Sequence, residues 1–328
     1  MPREHGCITR VDGVRVGHAV DDDGVTGCSV ILFDQGAVAG VDIGGSAPAT
    51  RETELLDPTN MIERIHGIAL TGGSVFGLKS SDGVQSFLRE RGVGYRSSAG
   101  VIIPIVPAAA IYDLEMGDPA IHHAPDRKMG YSACETASSD MSPEGLVGCG
   151  VGATCGRILG NENRMRGGLG SSSITLSNGV TVGTLVVCNA WGDVLDPDTG
   201  QIVAGAIDPK TDKFLDTEAY MFAENTVGTT FFGSNTTLCV VATNARFSRE
   251  QITKIANMAQ DGIARAVRPS HTLYDGDIVF AASTGTLETE VNLNIVGALA
   301  ARLIARSIVH GVSLANGGLK TEVKEFNV

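Results

Sequence analysis

The chain has 328 residues, of which 43% are hydrophobic, with 42 glycines and a formal net charge of −12 at pH 7. This content allows a large core in one domain or two, and an acidic chain without a basic stripe argues against a nucleic-acid partner. The N-terminus lacks the apolar stretch of a signal peptide, and no uncharged apolar run reaches about 18 residues. Seven cysteines without a Cys-x-x-Cys spacing suit a reducing compartment. We therefore expect a cytoplasmic protein with no membrane partner.

Apolar runs between turn residues predict the strands of the N-terminal half. One strand is expected within residues 25–39 and a short buried strand at residues 67–70. The spacing of apolar positions then predicts a helix from about Ser74 to Arg91. Residues 101–106 are strand-like, but their proline favours an edge or irregular strand.

The C-terminal half combines buried strands with two helices. Predicted strands are Thr181–Asn189, residues 236–242 and residues 278–282, and a long apolar helix is predicted at about residues 291–312. Ser248 and Gln251 match a capping box that opens another helix. Residues 206–233 lack periodicity, so we predict a loop or linker there and the least ordered internal stretch of the chain. Strands flanked by helices indicate layers of helix packed on sheet.

A threonine at the start of one strand is a candidate nucleophile. The polar residues 233–237 lead directly into the apolar run 238–242. A cut between Asn235 and Thr236 would make Thr236 a new N-terminus, whose amine could act as base for its own hydroxyl. Threonine is also common at strand starts, because its branched side chain suits a pleated sheet. Local sequence leaves both interpretations open.

Four other polar residues could serve such a site. Asp275 and Asp277 have the spacing that places two side chains on one side of a strand end, where a carboxylate could orient a hydroxyl or ammonium group, although Asp-Gly is also an ordinary turn sequence. Asn189 could donate to an oxyanion or could simply terminate its strand. Tyr112 could offer its hydroxyl to a pocket or serve packing alone.

Motifs for cofactors and metals are not recognised. The glycine-rich residues 148–156 fit neither a dinucleotide-binding nor a phosphate-binding pattern. His122, His123 and His271 lack the spacing of a zinc site. We therefore assign no metal and no cofactor.

Taken in chain order, these motifs resemble the L-aminopeptidase/D-esterase (DmpA-type) family, which includes β-peptidyl aminopeptidases and nylon-oligomer amidases. The resemblance covers nearly the whole chain and rests on residues 14–18, 50–53, 70–78, 148–156, 235–237, 242–245 and 275–277. It implies an α/β protein with a four-layer αββα sandwich, similar to N-terminal-nucleophile hydrolases but with different connectivity. It also implies a single domain, 1–328, which cuts itself into a large subunit, 1–235, and a small subunit, 236–328.

The resemblance also implies roles for individual residues. It assigns Thr236 as the nucleophile, Asn189 as the oxyanion-stabilising amide, Tyr112 as the pocket tyrosine, and Asp275 and Asp277 as acidic residues near the nucleophile. Arg157 stands where the nylon-oligomer branch has a lysine, and because arginine keeps its proton it could orient Asn189 or stabilise charge but not act as a base. We expect one aspartate to hold the hydroxyl or amine of Thr236 and the other to bond Arg157 or backbone amides.

The expected function is that of a self-processing amidohydrolase or aminopeptidase. It would hydrolyse N-terminal residues of short peptides, or short linear amides, through an acyl-enzyme on Thr236. Two alternatives stay open, namely acyl transfer of the ornithine-acetyltransferase kind and a non-catalytic relative that binds small molecules. The family also implies a homo-oligomer, because tetramers recur in it.

Overall fold

The computed structural model describes residues 6–117, 123–224 and 235–318, which form one main sheet flanked by helices. The nine strands of that sheet are β1 (Val14–Val20), β2 (Gly27–Ile43), β3 (Ala49–Arg51), β4 (Arg64–Thr71), β5 (Ala108–Ala110), β6 (Gly168–Thr175), β7 (Thr181–Asn189), β8 (Thr236–Ala245) and β9 (Ile278–Leu287). The helices are α1 (Ser74–Gly77), α2 (Ser80–Glu90), α3 (Arg127–Glu135), α4 (Thr217–Glu224), α5 (Arg249–Ala259), α6 (Asp261–Ala266) and α7 (Leu293–Ala315). Shorter strands pair outside the main sheet.

One long strand joins the two halves of the sheet. The spatial order is β6-β7-β8-β9-β2-β4-β5-β3, with β1 also paired to β2. The pairs β8–β9 and β4–β5 are parallel, and the other neighbours are antiparallel. The first part of β2 pairs with β1 and β4, whereas its second part, residues 38–43, pairs with β9. The 17-residue β2 therefore belongs to both halves.

The two halves of the sheet face each other across a shared core. Ile31 and Phe33 of β2 and Ile68 of β4 are buried in the same cluster as Val240 of β8 and Phe280 of β9. Side chains alternate between the two faces of a strand, so consecutive residues of these strands pack in different hydrophobic clusters. This shared core is the middle of a sandwich that the two halves of the sheet form.

Helices cover both outer faces of the sandwich. Val241 of β8 and Val279 of β9 pack in one cluster with residues of α5, α6 and α7. On the other side, Val30 of β2 packs with Val84 of α2 and Ala133 of α3. The order helix, sheet, sheet, helix confirms the four-layer αββα prediction.

The structure adjusts several predicted boundaries. The strand β7 and the start of β8 have the predicted bounds. The single helix predicted from Ser74 to Arg91 is two helices, α1 and α2. Only Ile102–Ile103 of residues 101–106 is a strand, and it pairs with Tyr95–Arg96 outside the main sheet. Pro104 follows directly and has no N–H to extend that ladder.

The prediction of a loop at residues 206–233 is wrong for its described part. Residues 207–208 and 213–214 form a hairpin, and α4 follows. The buried carboxylate of Asp193 accepts hydrogen bonds from the backbone N–H of Thr217 (2.6 Å) and of Ala206 (3.0 Å). This long-range contact, which local periodicity does not reveal, anchors the start of α4. Residues 225–233 lie outside the described residues.

The other predicted helices are present. The capping box is confirmed, because Ser248 Oγ accepts from the N–H of Gln251 while the Gln251 side chain accepts from the N–H of Ser248. By length and composition α7 could cross a membrane, and it is the one such helix in the described part of the chain. It is mostly buried and packs along β6 and β7.

Candidate active site

The sheet topology brings the predicted site residues to one edge of the sandwich. Strand β7 ends at Asn189, which is the cross-strand partner of Thr236 at the start of β8. Because β8 and β9 are parallel, the residues before β9 lie beside the same edge, and Asn235 forms a parallel bridge with Asp275. Thr236 is 4% exposed and Asn235 is 1% exposed. The candidate nucleophile is therefore buried between two neighbouring strands.

Among the described residues, two donors hold the carbonyl oxygen of the peptide bond between Asn235 and Thr236. The hydroxyl of Thr236 donates to the Asn235 oxygen at 2.5 Å. The main-chain N–H of Gly276 donates to the same oxygen at 2.9 Å. The predicted nucleophile thus lies directly beside the predicted scissile carbonyl.

Asp277 links the second residue of β8 to a histidine. Its Oδ1 accepts from the N–H of Thr237 at 2.8 Å, and its Oδ2 accepts from the N–H of His271 at 3.2 Å. The same Oδ2 lies 2.9 Å from His271 Nδ1. The hydrogen bond to this carboxylate raises the pKa of His271, against the effect of its partial burial.

Asp275 is bonded mainly within its own turn. Its Oδ2 accepts from the N–H (2.9 Å) and the hydroxyl (2.6 Å) of Thr272, and its Oδ1 accepts from the N–H of Trp191 at 3.4 Å. Burial raises the pKa of Asp275 most, and the nearby charge of Asp277 raises it further. One carboxyl group of the pair therefore keeps its proton more readily than a free aspartic acid does.

The contacts predicted for Asp275 and Asp277 differ in part from those observed. Among the residues that the structure describes, neither carboxylate bonds the Thr236 hydroxyl or Arg157. Both accept from backbone amides, as predicted for one of them, because the loop at residues 271–277 folds around them. The free Thr236 amine does not exist in the uncut chain, so its predicted contact stays a prediction.

The amide of Asn189 is fixed in one orientation. Asn189 is fully buried, and its Oδ1 accepts from the N–H (2.9 Å) and hydroxyl (3.3 Å) of Thr154. Its Nδ2 donates to the main-chain oxygen of Tyr112 at 3.3 Å. Since the Thr154 N–H must meet an oxygen, the NH₂ group points away from Thr154, and one of its two hydrogens is already engaged.

Tyr112 and Arg157 belong to a charged cluster next to this amide. The Tyr112 hydroxyl lies 3.4 Å from Glu115 Oε1, and Arg157 Nη2 forms an ion pair with Glu115 Oε2. Arg157 Nη2 also donates to Asn161 at 2.8 Å. Burial lowers the pKa of Arg157, and the pairing with Glu115 opposes this effect. Tyr112 thus contacts Asn189 through its backbone, and its hydroxyl is directed to Glu115.

A possible metal-binding group lies among the described residues at Asp21, Asp23 and His123. Asp21 Oδ1 already accepts from the N–H groups of Val25 (2.7 Å) and Thr26 (3.0 Å). Its Oδ2 lies 2.8 Å from His123 Nδ1. Hydrogen bonds within the cluster therefore account for its geometry.

Comparison with known proteins identifies the family. Residues 6–321 match the model of peptidase family S58. An uncharacterized aminopeptidase of Mycobacterium tuberculosis is 39% identical over an alignment of 331 positions, which covers 93% of this chain and 93% of the relative. A 6-aminohexanoate-oligomer endohydrolase of Paenarthrobacter ureafaciens is 30% identical, over 89% of this chain and 82% of the relative. The chain belongs to peptidase family S58.

Solved structures agree on the fold of this S58 member. The L-aminopeptidase D-Ala-esterase/amidase from Ochrobactrum anthropi, described as a variant of the Ntn-hydrolase fold, aligns with a TM-score of 0.71 at 19% identity, over 96% of this chain and 87% of that chain. A Burkholderia sp. beta-aminopeptidase aligns with a TM-score of 0.68 at 22% identity, over 96% and 88% of the two chains. The fold is Ntn-hydrolase-like, and the S58 chain is a hydrolase of peptide or amide bonds.

Proposed function

We propose that this S58 hydrolase cuts itself between Asn235 and Thr236 and then acts as an N-terminal threonine aminopeptidase or amidase. The observation that carries the proposal is the hydrogen bond of 2.5 Å from the Thr236 hydroxyl to the Asn235 carbonyl. A nucleophile within reach of its own preceding carbonyl, at the start of a buried strand, suits an intramolecular attack.

The proposed hydrolysis uses two groups of one residue, the side-chain hydroxyl and the free α-amino group of Thr236. After the cut, Thr236 Oγ attacks the substrate carbonyl, and the Thr236 amine takes the hydroxyl proton and returns it to the leaving amine. Water then hydrolyses the acyl-enzyme. The fixed amide of Asn189 is the proposed donor to the developing oxyanion. Arg157 and Tyr112 both contact Glu115, and these contacts support the side of the site that carries Asn189.

The proposed substrates are short peptides, cleaved after their N-terminal residue, and short linear amides. The names of the relatives support this class, since they include aminopeptidases and a 6-aminohexanoate-oligomer endohydrolase. The match to family S58 favours this interpretation over ornithine-acetyltransferase-like transfer. Seven buried free cysteines support the proposed cytoplasmic location. A homo-oligomer stays part of the proposal.

Mass spectrometry of the purified, denatured protein tests the proposal. Wild-type protein should give two fragments, 1–235 and 236–328, and should hydrolyse aminoacyl p-nitroanilides. Thr236→Ala should stay one chain without activity, whereas the matched control Thr237→Ala, one residue along the same buried strand, should still be cut. Cleavage of Thr236→Ala at this same bond would show that Thr236 is not the nucleophile.

A further inference from the structure

The loop that carries the two aspartates also contacts the scissile bond through its glycine. We propose that Gly276 is a catalytic residue of self-cleavage: its N–H holds the carbonyl oxygen of Asn235, and its missing side chain gives Thr236 Oγ the space to attack. This inference rests on the self-cleavage proposed above. It concerns the first turnover, in which the chain is its own substrate.

The first argument concerns the two hydrogen bonds on the scissile carbonyl. In the uncut chain the Asn235 oxygen accepts from Thr236 Oγ at 2.5 Å and from Gly276 N at 2.9 Å. The hydroxyl cannot donate to this oxygen while its oxygen attacks the neighbouring carbon, so that hydrogen bond is lost on attack. The Gly276 N–H remains, and its hydrogen bond strengthens as negative charge develops on the oxygen. Burial of the site increases this effect.

The reaction then proceeds as an acyl shift followed by hydrolysis. A bond forms between Thr236 Oγ and the Asn235 carbonyl carbon, the bond from that carbon to the Thr236 nitrogen breaks, and the hydroxyl proton passes to that nitrogen. The product is an ester with a free amine. Water adds to the ester, giving the Asn235 carboxylate and restoring the Thr236 hydroxyl. The negative oxygen of each tetrahedral intermediate is the one that Gly276 holds.

Among the described residues, Asn189 is not seen to donate to the scissile oxygen of the uncut chain. Its Oδ1 accepts from Thr154, and its Nδ2 donates to the Tyr112 oxygen. Within residues 6–117, 123–224 and 235–318, Gly276 is the donor seen on the scissile oxygen besides the nucleophile itself. We therefore assign the oxyanion of self-cleavage to the backbone of Gly276, while Asn189 keeps its proposed role toward the external substrate.

The second argument concerns space. A Cβ at position 276 would lie 2.7 Å from Thr236 Oγ and 2.7 Å from the Ala47 oxygen, which is closer than a carbon atom approaches either group. Gly276 is not among the glycines with positive φ, so its backbone conformation does not itself demand glycine. The close approach of the Thr236 hydroxyl is what requires glycine at position 276. An added methyl group would force the Thr236 hydroxyl to turn away from the carbonyl.

Gly44 offers a matched control for both arguments. Its N–H donates to the main-chain oxygen of Asp277 at 3.0 Å, and an added Cβ would meet the flexible end of Gln260 at 3.1 Å. A change at Gly44 thus perturbs the same loop without touching the scissile bond.

The first experiment follows the self-cleavage of Gly276→Ala and Gly44→Ala by intact mass over time. We expect Gly276→Ala to cut roughly 10²-fold more slowly than wild type, on the scale of a disturbed oxyanion site, while Gly44→Ala stays within a few-fold. Thermal unfolding of both variants verifies that they are folded. A folded Gly276→Ala that cuts at the wild-type rate overturns the inference.

The second experiment removes only the N–H. Incorporating glycolic acid at position 276 during cell-free translation replaces the amide by an ester, and the same exchange at position 44 is the control. Slow self-cleavage at 276 alone supports the inference, and equal rates at the two positions overturn it. Neutral hydroxylamine, which cleaves esters, should not restore cutting of Gly276→Ala, because the block precedes the ester. If it does restore cutting, Gly276 is not required for the attack. An uncut wild type would instead refute self-cleavage itself.

Discussion

Asp275 and Asp277 orient the loop beside Thr236 through different partners. Asp277 accepts from Thr237 N and His271, whereas Asp275 accepts from Thr272 and Trp191. Replacing either carboxylate by an amide substitutes a donor for an acceptor and removes the charge. We expect Asp275→Asn and Asp277→Asn each to lower turnover by roughly 10²-fold or more, the scale of a lost acid–base group, and to slow self-cleavage.

Processing and hydrolysis should be measured separately for these two variants, by intact mass and by release of p-nitroaniline. Asp208→Asn is the control, because Asp208 accepts from Lys210 N in an exposed hairpin. Near-normal rates in both site variants would show that the two carboxylates are not needed and that Asp275-Gly276-Asp277 is an ordinary turn.

From the His271–Asp277 pair we expect the stability of the folded protein to depend on pH. The carboxylate raises the folded-state pKa of His271 above its usual value of 6.5, so the folded protein binds the proton more tightly than the unfolded chain does. The stabilisation is fully present below about pH 6.5 and is lost as the pH rises through the folded pKa. His271→Asn, which tolerates the positive φ of 56° at this position, should therefore lower the melting temperature more at pH 5.5 than at pH 9.

This measurement uses the Thr236→Ala background, so that every sample is uncut. A melting-temperature difference that does not change between pH 5.5 and pH 9 would show that the ion pair does not contribute to stability. Sequence patterns did not reveal this pair, because contact between residues 271 and 277 depends on a left-handed turn at a histidine. The positions of Thr236, Asn189 and the aspartates at strand ends are predictable, since apolar runs predict the strands that they flank.

The capping box of α5 is a stabilising feature away from the site. Ser248 and Gln251 exchange side-chain and backbone hydrogen bonds at the first turn of the helix. Ser248→Ala leaves the N–H of Gln251 without this partner, and we expect the free energy of unfolding to fall by about 1 kcal/mol. Denaturant unfolding in the Thr236→Ala background measures this change.

Ser248→Asp, which can still cap the helix, serves as the control and should retain most of the stability. Equal stability of Ser248→Ala and wild type would mean that water replaces the cap without loss. The capping box was predictable because it is local in sequence. Helix α4 was not, because its first turn is anchored on Asp193, 24 residues earlier.

The proposed cut divides one sheet between two chains. Strands β8 and β9 would belong to the small fragment, yet β8 pairs with β7 and β9 pairs with β2, both in the large fragment. The inner core also contains side chains of both. We expect the fragments to co-elute in native size exclusion and to separate only in denaturant. Elution of fragment 1–235 alone would contradict this expectation.

The layered architecture was predictable as a class, but its central feature was not. Apolar runs indicate strands and helices, and the family resemblance implies the sandwich. The pairing of β2 with β4 has a register shift between Leu32 and Ala37, just before residues 38–43 of β2 that pair with β9. A register shift is set by tertiary packing and has no periodic signature in the sequence.

The burial of the Asn235–Thr236 bond has an electrostatic consequence for maturation. An amide bond is neutral, but its hydrolysis would create a carboxylate and an ammonium group where both residues are at most 4% exposed. Isolated charges are poorly tolerated in such surroundings. The new carboxylate would lie beside Asp275 and Asp277, which repel it, whereas the ammonium group would be attracted to them. Maturation would therefore favour keeping the Thr236 terminus beside the two aspartates and moving the Asn235 terminus away from them.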